Sequence, residues 1–65
     1  MLLHIVMDED LVPVGRVDLP RGHGFNVPPG YRVLMRDTQD EEEISDYHLL
    51  PAFPVRDTGP LKYLN

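Results

Sequence analysis

The chain has 65 residues, with six Lys and Arg against eleven Asp and Glu, and no cysteine. This length holds a single small domain, and the missing cysteines exclude disulfides, thiolate chemistry and Cys-type zinc sites. A net charge of −5 disfavours direct nucleic-acid binding, which needs clustered Lys and Arg. A small domain without disulfide or zinc staples is expected to draw stability from a protein partner or from self-association. The charge is uneven: residues 1–32 carry −1 and residues 33–65 carry −4. Five of the six cationic residues are Arg, which favours directional, bidentate contacts.

Leu2 to Met7 is a short apolar run with Ile and Val and predicts a buried strand. It is too short for a membrane span and lacks the basic leader of a signal peptide, so a cytoplasmic protein is expected. Asp8-Glu9-Asp10 predicts a polar turn, and Val12 to Leu19 predicts a second strand. The apolar alternation there changes phase at Gly15-Arg16, which signals a bulge, and Pro13 predicts an edge strand. Arg21-Gly22-His23-Gly24-Phe25-Asn26 reads as a flexible loop. Pro28-Pro29-Gly30-Tyr31 fits a type II turn, with Gly30 at the positive φ.

Tyr31 to Asp37 is the clearest strand, with Tyr31, Val33 and Met35 on a core-like face and Arg32, Leu34 and Arg36 on the other. Thr38-Gln39-Asp40-Glu41 fits a capping box with Thr38 at the N-cap. A helix over Gln39–Leu50 follows, with Asp40, Glu41, Glu42 and Glu43 in its first turn and Pro51 stopping it. From Pro51 onward, Pro51, Pro54 and Pro60 argue against regular structure. The expected organisation is therefore an α+β, mostly β domain over residues 1–50, with a small three-stranded sheet and one short helix. An extended proline-rich C-terminal arm follows over residues 51–65.

Little in this pattern points to catalysis. His4, His23 and His48 have no second His or carboxylate at metal-ligand spacing on a helix face, so neither metal nor cofactor is expected. Arg21-Gly22-His23-Gly24 lacks the second half of any phosphate-binding fingerprint. Ser45 is the only serine and no strained elbow presents it as a nucleophile. The chain therefore reads as a non-catalytic protein-binding module. Its expected partner-binding residues are Asp40, Glu41, Glu42, Glu43 and Asp46 in the acidic block, Tyr31, Arg32 and Arg36 on the strand, and Phe53, Leu61, Tyr63 and Leu64 on the arm. The acidic block suits an Arg/Lys-rich partner and fast, salt-sensitive association.

In type, small acidic cysteine-free chains of this kind resemble viral accessory proteins that inhibit a host complex. An assembly subunit held in a larger complex, or in a homo-oligomer, by the arm is the second expectation. A third comes from Gly15-Arg16-Val17-Asp18-Leu19-Pro20 followed by Val27-Pro28-Pro29-Gly30-Tyr31-Arg32-Val33-Leu34. These residues resemble the swapped-hairpin AbrB/MazE-type DNA-binding proteins and antitoxins. Arg21 to Asn26 is shorter and richer in glycine than that family's connection, and Tyr31 stands where the family has Asp. The resemblance implies an intertwined dimer with Arg16, Arg21 and Arg32 toward DNA and a C-terminal tail around a toxin.

Overall fold

The computed structural model describes residues 1–61, which form five strands and one helix. They are β1 (Leu2–Met7), β2 (Pro13–Arg16), β3 (His23–Asn26), β4 (Arg32–Asp37), α1 (Glu41–His48) and β5 (Arg56–Pro60). The α+β, mostly β fold expected from the sequence is present: a three-stranded antiparallel sheet in the order β2-β1-β4 carries the short helix. A second, two-stranded antiparallel sheet of β3 and β5 was not expected.

β1 is the central strand because it is the most apolar segment and has a neighbour on each side. Ile5 and Val6 are fully buried and Leu3 nearly so, and these three make up the buried apolar core among the described residues. β2 lies outside β1, as Pro13 requires. Its bulge is at Val14: Met7 faces Pro13 and Val6 faces Gly15, so the phase changes one residue before the expected place. The outer edge of β2 is not left bare. The Arg16 N–H donates to the Pro51 carbonyl (2.9 Å) and the Phe53 N–H donates to the Arg16 carbonyl (2.7 Å), making a short parallel bridge at Ala52.

The type II turn before β4 forms as expected, with the Tyr31 N–H on the Pro28 carbonyl (3.2 Å) and Gly30 at φ +91°. The helix starts later than the sequence suggests. Asp40, not Thr38, is its N-cap, and its carboxylate accepts from the N–H groups of Glu42 and Glu43. Thr38 is held at the end of the β1–β4 ladder by its N–H on the Met1 carbonyl, and its hydroxyl accepts from the Asp40 N–H. The hydrogen bonding of the ladder therefore extends past the strand to Thr38, and the capping role passes to the next residue able to fill it, with Glu43 at N3.

Two arginines tie this helix to the sheet. Arg36 of β4 forms a bidentate ion pair with Glu43 in the first helical turn. Arg16 of β2 donates to the Leu50 carbonyl and to the His48 carbonyl (3.3 Å) at the other end. A guanidinium at the carbonyl end of a helix satisfies orphan acceptors and opposes the dipole.

The segment expected as a flexible loop is partly a strand. β3 pairs with β5 over His23–Asn26 and Arg56–Pro60, although a turn-like composition and 29 intervening residues hid both. Pro54 and Pro60 frame β5 rather than preventing it, because Pro60 occupies its last position. Gly24 permits the close approach: a Cβ there would lie 2.6 Å from the Thr58 hydroxyl oxygen.

Candidate functional site

The antiparallel ladder determines which backbone groups of β4 are available. Met1 and Thr38 exchange both hydrogen bonds, through the Thr38 N–H to the Met1 carbonyl (3.1 Å) and the Met1 amino group to the Thr38 carbonyl (2.7 Å). Alternation along the register then turns Arg36, Leu34 and Arg32 toward β1, and Val33, Met35 and Asp37 away from it. Among the described residues no strand pairs with that outer side. β4 thus presents three N–H and three C=O groups along an open edge.

The side chains along this edge are apolar and uncovered. Met35 is 63% exposed, Leu2 51%, Tyr31 39% and Val33 37%. By register they share one face of the sheet with Val6, whereas Leu34 and Ile5 share the other. The expectation that Tyr31, Val33 and Met35 line the core is therefore corrected. The cover on that face comes from Phe53 and Phe25, and neither extends over the middle of β4. Phe53 spans from Gly15 on β2 to Tyr31, whose ring it meets edge-on at 5.1 Å, and Phe25 meets His4 edge-on at 5.5 Å. Leu34 shares the face of the buried Ile5 and is half-buried, whereas Val33 and Met35 lie exposed on the other face.

The acidic block divides by role. Asp40 is the cap, and Glu43 holds Arg36 and accepts from the Thr38 hydroxyl (3.2 Å). Asp37 meets the Met1 amino group at 3.3 Å. Glu41, Glu42 and Asp46 remain exposed and group around Ser45 on the outer side of the helix. Arg32 is exposed at the start of β4. Leu61 is tied to its own chain through its N–H on the Gly22 carbonyl (2.8 Å). Tyr63 and Leu64 lie outside the described residues. Of the residues expected to bind a partner, Tyr31 and Arg32 belong to the β4 edge and Glu41, Glu42 and Asp46 to the free acidic face. Arg36, Glu43, Asp40 and Phe53 are engaged within the fold. Val33, Met35 and Leu2 complete the edge and went unrecognised, because their alternation is the one that also marks a buried face.

Two carboxylates titrate below their ordinary range. The Arg36 guanidinium, with the Thr38 hydroxyl, holds Glu43 low, and Glu43 in turn raises Arg36. The Gly59 N–H (2.8 Å) and His23 at 3.0 Å hold Asp57 low. A depressed carboxylate stabilises the fold above its unfolded value, and that contribution is lost as the pH falls through the folded one. Acidification below about pH 4 is therefore expected to loosen α1 from β4 and the β5 turn from His23 together. In an NMR pH titration Glu43 should titrate below the ordinary Glu value of 4.5, and Arg36→Gln should raise its midpoint without moving that of Asp57. An unmoved Glu43 midpoint would show that the ion pair does not persist in solution.

No group of three or more His, Asp and Glu side chains that could hold a metal ion occurs among the described residues, and no helix there is long and apolar enough to cross a membrane. Comparison with known protein families, curated proteins and solved structures finds no match for this chain. Of the three arginines that the AbrB/MazE resemblance would turn to DNA, Arg16 is bound to Asp18 (3.2 Å) and to the end of α1.

Proposed function

We propose that the chain is a non-catalytic protein-binding module of the accessory or inhibitor type, which takes an extended segment of a basic partner along the open edge of β4. The observation that carries this reading is the coincidence of a six-residue strand whose outer edge is unpaired among the described residues with exposed Val33 and Met35. Strand addition gains affinity from the main-chain hydrogen bonds and specificity from alternate side chains. A long apolar edge left bare invites aggregation unless something covers it. The charge of −5 favours a cationic partner over a second copy, because like-charged copies repel and opposite charge steers encounter. The exposed Glu41, Glu42 and Asp46 add to that field. Leu11, exposed and at φ +62° where Gly or Asn is preferred, keeps a strained apolar side chain at the β1–β2 turn.

The test is a random peptide display library selected on the full chain, followed by 15N chemical-shift mapping of the peptides recovered. Recovered peptides should alternate apolar with Lys or Arg residues and perturb the amides of Arg32–Asp37. Met35→Pro should weaken them at least tenfold while the protein stays folded, because the N–H it removes points away from β1 and an edge tolerates proline. Leu34→Pro, which removes a ladder bond to β1 and leaves its acceptor unmet, should instead destabilise the fold by about 1–3 kcal/mol. Charge reversal at Glu41, Glu42 and Asp46 should slow association and reduce its salt dependence. Peptides that map elsewhere, or that bind Met35→Pro equally well, would overturn the reading. So would a solution dimer dissolved by Met35→Pro, which would make the occupant a second copy.

A further inference from the structure

A cleft of about 600 Å3 opens between the N-terminal half of β1, the connection 17–22 and β3. Its volume lies within the range of small-molecule sites, and its lining differs in charge from the rest of the molecule. All three histidines line it, although they are far apart in sequence, together with Arg16 and Arg21. The carboxylates that also line it, Asp18 and Asp37, are each paired, with Arg16 (3.2 Å) and with the Met1 amino group (3.3 Å). His23 is held by Asp57. Among the described residues Arg21, His4 and His48 have no side-chain hydrogen-bond partner of their own, and Phe25 and Leu19 supply apolar wall beside them. A protein of net charge −5 thus places Arg21 and its three imidazoles around one concave surface.

We infer that this cleft binds a small organic carboxylate, with its anionic head on Arg21 and the His4 imidazole and its apolar body against Phe25, which meets His4 edge-on. The guanidinium fork matches a carboxylate in a bidentate fashion, and imidazole N–H groups can complete the oxygen shell. A monoanion suits the one uncommitted permanent positive charge, whereas a phosphate dianion would leave excess negative charge in an already acidic protein. The site is separate from the β4 edge and does not depend on the reading given for that edge.

The experiment is a 15N titration of the full chain with benzoate and hexanoate, each set against its neutral amide. Either carboxylate should give saturable shifts at His4 and across Leu19–Phe25, the amides should not, and Arg21→Gln should weaken binding at least tenfold with an otherwise unchanged spectrum. His4→Gln should weaken it less. Equal response to acid and amide, no saturable response to either acid, or an unchanged affinity in Arg21→Gln would each overturn the inference.

Discussion

Ile5→Ala is expected to abolish cooperative folding near room temperature, or to lower the midpoint of thermal unfolding by at least roughly 8 °C. Ile5 sits at the centre of the three-stranded sheet, opposite Arg16 on one side and Leu34 on the other, and is fully buried. Truncating a buried isoleucine costs about 2–5 kcal/mol, through lost transfer energy and the cavity left behind. A core in a chain this small rarely supplies more than about 3–5 kcal/mol in total. Leu3 and Val6 are the other two buried apolar side chains among the described residues, so little remains to absorb the loss. Ile5→Val keeps most of the volume and should cost about 0.5–1.5 kcal/mol. Urea and thermal melts of the two variants measure the difference. If Ile5→Ala melts within a few degrees of the parent, Ile5 is not buried in solution as it is in the structure.

That thin core explains which parts of the fold were legible in the sequence. β1 and the Pro28–Tyr31 turn are encoded locally, by an apolar run and by the φ demands of Pro29 and Gly30, and both form where expected. β3 and β5 are encoded only by each other. Neither His23-Gly24-Phe25-Asn26 nor Arg56-Asp57-Thr58-Gly59-Pro60 has strand periodicity, and each becomes a strand because the other completes its hydrogen bonds. The face of β4 was misjudged for a related reason. Alternation shows that two faces differ, but the side that gets covered depends on where Phe53 and α1 come to rest. The candidate site was least legible of all: an open edge is a property of strand order, which no residue of β4 carries by itself. The pairing of Arg36 with Glu43 across elements likewise removed two expected surface charges from that site.

Gly15→Ala should be strongly destabilising, and for a reason of space rather than backbone conformation. A Cβ at Gly15 would lie 2.9 Å from the Phe53 Cβ and 3.0 Å from the Pro51 carbonyl oxygen. That carbonyl accepts from the Arg16 N–H, and the Phe53 N–H returns a bond to Arg16, so the new methyl forces apart the strand pair that seals β2. Overpacking of about 1–3 kcal/mol, with up to two hydrogen bonds of about 1 kcal/mol each, puts the expected cost near 2–4 kcal/mol. Exposure of the β2 edge and loss of the Phe53 cover should also raise the tendency to aggregate. Gly22→Ala provides the contrast: nothing lies within 4 Å of its Cβ, and only its φ of +83° resists the change. A double-mutant cycle separates contact from general fragility. Phe53→Gly removes two of the three close atoms, so Gly15→Ala should cost clearly less in that background than in the parent. Equal costs in the two backgrounds would mean that the Pro51–Phe53 segment does not lie on β2 in solution, and the sheet would then have two open edges rather than one.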